Sequence, residues 1–110
     1  MNKCILMGRL TADPECKAYG ENSDKTMARY TLAVDSGFGD NKRTDFIRCT
    51  AFGRNGAFAE KYLRKGMRML INGELHIDNV KDNEGNTKTY SGVVVESQEF
   101  AEGKREEANA

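Results

Sequence analysis

The sequence predicts an all-β domain, a small closed barrel of about five strands with one short helix between the third and fourth. Three observations carry this. Most of the chain alternates apolar and polar residues with a period of two, which puts successive side chains on opposite faces of a strand. Only one stretch, 55–65, shows helical spacing. Polar, glycine-bearing loops separate the segments. At 110 residues the chain is long enough for one core and too short for two.

The first strand covers residues 2–10 and ends near Thr11-Ala12-Asp13-Pro14, where the single proline marks a turn or an edge. Residues 19–25 (YGENSDK) are a polar loop. In the strand 27–35, Ala28, Tyr30, Leu32 and Val34 share one face, with Arg29 and Thr31 opposite. Residues 36–41 (SGFGDN) form a second loop, polar except for Phe38. The strand 45–52 sorts most clearly. Ile47, Cys49 and Ala51 make a small apolar face, and Phe46, Arg48, Thr50 and Phe52 make the other.

The helix 55–65 takes Asn55 as its N-cap, an apolar stripe of Phe58, Ala59, Tyr62 and Leu63, Arg64 and Lys65 in its last turn, and Gly66 just beyond its end. Strand returns over 67–80, where Met69, Ile71, Leu75 and Ile77 share a face and Gly73 allows a bend or bulge. A turn at 82–86 (DNEGN) leads into the last strand, 88–100. Residues 1–100 form one domain and 101–110 a short polar tail. Five short strands with one helix in that slot fit the five-stranded Greek-key OB-fold barrel.

Composition narrows the function. No apolar run approaches the roughly 20 residues of a transmembrane helix, and the N-terminus has no signal-peptide pattern. Cys4, Cys16 and Cys49 are an odd set without a C-x-x-C pair, which argues against a disulfide framework or a zinc site and fits reduced thiols in a cytoplasm. Formal net charge is zero, which counts against a phosphate binder unless the cations gather on one face. Acidic residues do collect near the end, at Glu102, Glu106 and Glu107.

The outward face of the strand 45–52 is the main functional signal. Its other face already supplies the core. Two phenylalanines flanking an arginine, offered to solvent, suit base stacking beside a phosphate contact. The alternative is packing under a loop or in a subunit contact. Phe38, in a glycine-flanked loop with Lys42 and Arg43 behind it, has no apolar neighbours in sequence to join. His76 is the only histidine and reads as a surface or interface residue. No hydrolase, metalloprotease, P-loop or dinucleotide motif is present, so no enzyme is expected, and no cofactor or metal.

Several stretches resemble the bacterial-type single-stranded DNA-binding protein (SSB) family: NKCILMGRLTADPE, ARYTLAVD, TDFIRCTAFGR, AEKYLRKG, INGEL and VVVES. They follow the family's order and spacing over roughly residues 2–100. The resemblance implies an OB-fold homotetramer that coats single-stranded DNA without sequence preference during replication, recombination and repair, in the cytoplasm with the nucleoid. It implies stacking at Phe38, Phe46 and Phe52, and phosphate contacts at Lys3, Lys17, Arg48, Arg54 and Lys65. The family's hairpin aromatic falls at Val80, preceded by Asp78 and Asn79 in place of cations. Family members usually continue into a linker and an acidic tip that recruits replication and repair proteins; this sequence ends EGKREEANA, so such proteins stay possible partners while recruitment through that tip is in doubt. An OB relative acting through protein contacts and an RNA-binding OB domain remain the two rival readings, and no membrane partner is expected.

Overall fold

The computed structural model describes residues 1–101, so the expected polar tail lies outside the described residues except for Ala101. Six strands and one helix follow in chain order. These are β1 (Cys4–Leu10), β2 (Glu15–Tyr19), β3 (Lys25–Ser36), β4 (Arg43–Ala51), α1 (Arg54–Tyr62), β5 (Arg68–Lys81) and β6 (Thr87–Phe100). The sheet order is β1-β5-β6-β4-β3-β2. β1 also pairs with β3, through Arg9 with Ala33 and Leu10 with Leu32, which closes five strands into a barrel. β4 and β6 run parallel at Cys49–Val93 and Thr50–Val94, and the other pairings are antiparallel. This is the expected five-stranded barrel with its helix between β4 and β5.

The period-two reading holds through the core. Ala28, Tyr30 and Leu32 of β3, Cys49 and Ala51 of β4, Met69 and Ile71 of β5, and Val93 and Val95 of β6 are all buried. Ala59 and Leu63 bring the helix region into the same cluster. The expected Phe58–Tyr62 pair meets at 4.9 Å between centroids, and Phe100 joins Phe58 at 5.6 Å.

Three expectations change. The sixth strand, β2, pairs only with β3, as one arm of a hairpin, and four of its five residues are exposed. It buries no face of its own, so it leaves no apolar alternation to read. The helix is capped differently from the reading. Gly53, at φ 60°, holds the N-cap position in a region that favours glycine, and no side chain caps the helix. Asn55 instead donates from Nδ2 to the carbonyls of Glu96 (3.1 Å) and Val95 (3.4 Å). The helix also ends at Tyr62, so Arg64, Lys65 and Gly66 lie beyond it. Arg64 still reaches back and donates to the Glu60 and Leu63 carbonyls.

The third change concerns Leu75 and Ile77, expected to share the face of Met69 and Ile71. They keep that alternation, since the extra residue lies on β6, but they are exposed beyond the register shift at Asn72 and Gly73, where β5 leaves the barrel. Asn72 pairs with Ser97 and Gly73 with Val95, which leaves Glu96 as an extra residue on β6. The inward positions of β6 accordingly change from Val93 and Val95 to Gln98. Gly73 supplies the bend predicted for it. A Cβ there would stand 2.2 Å from the Val94 carbonyl oxygen. Beyond the bulge the hairpin leaves the barrel, and residues 75–91 are exposed.

A polar chain locks this region. Tyr30 donates its hydroxyl to Gln98 Oε1 (2.8 Å), and Gln98 Nε2 donates to the Asn55 carbonyl (2.7 Å). With the Asn55 bonds to the bulge, the helix, β3 and β6 are tied through one set of satisfied groups.

Two predictions follow from this packing. Gly73→Ala forces the two backbones apart and should destabilise by about 1–3 kcal/mol, the usual cost of overpacking. A lowered urea midpoint checks this; an unchanged midpoint would show that the close approach is not required. The second concerns pH. Burial pushes the Cys49 thiol from its ordinary 9.0 up to about 12, and burial, with Cys49 second, pushes the Tyr30 phenol well above its ordinary 10.0. Both stay protonated in the folded state while the unfolded chain releases their protons. Stability is therefore complete below about pH 9 and falls as pH rises from there towards 12. Unfolding midpoints measured from pH 8 to 11 should decline, and Cys49→Ala should flatten the decline.

Candidate functional site

β4 supplies both the core and an outward face. Alternation sends Ile47, Cys49 and Ala51 inward and Phe46, Arg48, Thr50 and Phe52 outward, as the sequence predicts. Phe46 is 68% exposed and Phe52 44%. Six residues separate them, about 20 Å along an extended strand. Phe52 is not wholly unsupported, since Tyr19 meets its ring edge-on at 5.9 Å.

The register with β3 extends this face sideways. Phe46 lies opposite Ala33, Arg48 opposite Thr31 and Thr50 opposite Arg29. Lys17 of β2 lies opposite Met27 and so joins the same face. The floor formed by Arg29, Thr31, Arg48 and Thr50 lies in an open groove. Thr11 to Asp13, after β1, line one side, and the β5–β6 hairpin lines the other. Asp13 accepts the Lys65 backbone N–H at 2.8 Å, which fixes that first side against the turn after the helix.

The groove is mixed in charge. Arg29 and Arg48 give the floor its cations, while Asp13, Glu15 and Asp78 lie along its sides. His76, on the hairpin side, pairs with Glu74 at 3.0 Å. It therefore sits at the groove rather than on an unrelated surface. Val80 lines the hairpin side where the sequence reading found no aromatic.

That reading missed Tyr90. The hairpin register sets it opposite Asp78, two pairs from Val80–Lys88 and so on the same face, and it lines the groove. The Arg48 guanidinium lies 5.8 Å from its ring centroid, within cation–π reach. The signal was available: the turn at 82–86 fixes the hairpin register, and the register carries Tyr90 onto the face of residue 78.

The remaining candidates are not gathered together. Phe38 precedes the 3-10 turn Gly39–Asn41, is 87% exposed, and does not line the groove. Lys3 pairs with Glu96 at 3.1 Å, on the β1 side of the barrel. Arg54 opens α1, and Lys65 follows it, both exposed and outside the groove lining. Only Arg48 and Lys17, of the five predicted phosphate contacts, share the face of Phe46 and Phe52.

Among the described residues no group of three His, Cys, Asp or Glu side chains is placed to hold a metal ion, and all three cysteines are free. No helix among them is long and apolar enough to cross a membrane.

Comparison with known proteins gives concordant matches. The model of the Single-strand binding protein family matches residues 1–101. A single-stranded DNA-binding protein of Fusobacterium nucleatum is 40% identical over 109 residues, covering 94% of this chain and 69% of its own length. One from Clostridium perfringens is 38% identical, with 91% of this chain and 65% of the relative covered. Single-stranded DNA-binding protein 1 of Clostridium acetobutylicum is 33% identical, with 96% and 98% covered. The chain thus spans about two thirds of the first two relatives and nearly all of the third.

Proposed function

Because the chain belongs to the Single-strand binding protein family, we propose that it binds single-stranded DNA without sequence preference and coats it during replication, recombination and repair. The observation that carries this reading is the outward face of β4, where exposed Phe46 and Phe52 flank Arg48. Nothing in barrel stability calls for large aromatics on a solvent face. Bases stack on such rings for about 1–3 kcal/mol each, whatever their identity.

In this mechanism Phe46 and Phe52 each take a base on β4, and Phe38 takes a third from the neighbouring loop. Arg48 and Lys17 neutralise phosphates between them, and Lys3, Arg54 and Lys65 act on strand passing over other surfaces. Duplex is excluded because paired, stacked bases present no free π-face. Binding makes and breaks no covalent bond, so the function needs neither catalytic group nor cofactor. The same reading carries a cytoplasmic protein associated with the nucleoid.

A homotetramer completes the reading, since wrapping needs more surface than one barrel offers. The outer face of β1 and β5 supports self-association. Ile5 and Met7 are exposed there, opposite Asn72 and Leu70. Such aliphatic side chains on an outer strand face gain by being covered with protein.

Labelled oligo-dT tests the main reading, beside a duplex and a matched RNA of equal length. Tight binding to oligo-dT, with weak duplex binding, is expected. Log affinity should fall with log salt by about 0.7 per phosphate neutralised. Phe46→Ala should weaken binding at least about fivefold while stability changes by no more than about 0.5 kcal/mol. No preference for the single strand would overturn the reading. For the assembly, light scattering should give about four times the 12.3 kDa chain mass, and Met7→Glu should reduce it. A wild-type mass of one chain would remove the tetramer.

A further inference from the structure

We propose that Tyr90 is an additional base-stacking platform, on the hairpin side of the groove, and that Arg48 holds its ring in place. This rests on the single-strand reading of the same groove and adds a residue to it that the sequence resemblance does not supply.

Four observations converge on Tyr90. The residue is 43% exposed towards the base of the projecting hairpin, outside the buried core. It lines the groove whose floor carries Arg29 and Arg48 and whose far end carries Phe52. The Arg48 guanidinium covers one side of the ring at 5.8 Å, and among the described residues no other ring or cation is stacked on it. The second π-face is left for a base. Finally, Gly92 adjoins Arg48 across the parallel β4–β6 pair and has no side chain to stand between Arg48 and Tyr90.

The neighbours explain why the platform belongs at this position. Val80, two pairs away on the same face, is aliphatic and offers no π-face, while Asp78, directly opposite Tyr90, would repel a phosphate. A strand crossing the hairpin meets one surface that favours it, the Tyr90 ring with a cation behind it. A guanidinium stacked on a ring also keeps its in-plane N–H groups directed outward, where they can donate to phosphate oxygens. Tyr90 and Arg48 together would therefore take a base and the adjoining phosphate.

The test uses Tyr90→Trp, which gives the full chain its only tryptophan. Oligo-dT carrying a label is titrated in, and label anisotropy and tryptophan emission are followed together. Stacking predicts that affinity is kept and that tryptophan emission is quenched in step with binding. Tyr90→Ala, with its fold checked by circular dichroism, should lose about 5- to 100-fold in affinity. Tyr90→Phe should bind nearly as wild type, because the π-face and not the hydroxyl is used. Binding of oligo-dT to Tyr90→Trp without quenching, or a Tyr90→Ala affinity within twofold of wild type while Phe46→Ala is impaired, would overturn the assignment and leave the β4 reading standing. Failure of the wild-type chain to bind oligo-dT would overturn both.

Discussion

The close approach of Gly73 to the Val94 carbonyl, beside the extra residue Glu96, is the constraint on which the rest of the molecule depends. Below it, β5 and β6 are barrel staves with Met69, Ile71 and Gln98 turned inward. Above it, β6 stays paired with β4 at Val93 and Val94, and residues 75–91 then run on as a hairpin forming one side of a groove. A bulge locally disrupts the ladder, so its carbonyls need other donors. Asn55 supplies them from the helix, and Gln98 returns a bond to the Asn55 backbone. One irregularity thus bends the hairpin outward, anchors the helix, and gives buried Tyr30 a partner for its hydroxyl.

The electrostatics of the groove give stacking more weight than charge. A chain of zero net charge has no overall attraction for a polyanion. Its two floor arginines work at contact distance, and acidic side chains along the edges oppose them. Much of the attraction must come from interactions that do not depend on net charge, which is what exposed rings offer. The acids also have a directional effect. They disfavour phosphates along the edges of the groove and leave the floor, between Arg29 and Arg48, as the preferred track.

Where two faces of a strand differ chemically, the sequence was sufficient. β4 was legible because Ile47, Cys49 and Ala51 can only be core, which forces Phe46, Arg48 and Phe52 outward. β3 was legible for the same reason. β2 was not, because a strand that buries nothing has no alternation to detect and exists only through its partner. Asn55 was misread because its side chain suits an N-cap, while the bulge carbonyls that actually bind it lie about 40 residues away. Leu75 and Ile77 keep the face read for them, but their exposure was not legible, because alternation along a strand does not show where it leaves the barrel. Tyr90 was overlooked through attention to a single position, Val80, when a hairpin presents two strands to the same face.

Two of the exposed apolar surfaces differ in chemistry, and that assigns them different occupants. On β4 the exposed groups are flat rings alternating with an arginine, and on the hairpin a tyrosine lies against that same arginine. Rings beside cations suit a partner made of flat bases and anionic links. On β1 the exposed groups are Ile5 and Met7. Aliphatic side chains give a base no π-face and a phosphate no donor. They are suited to protein, which brings apolar side chains to cover them. The β1 face is therefore suited to another barrel and the β4 face to nucleic acid. Because strands of one closed sheet carry both, a second barrel can cover β1 while the groove stays open.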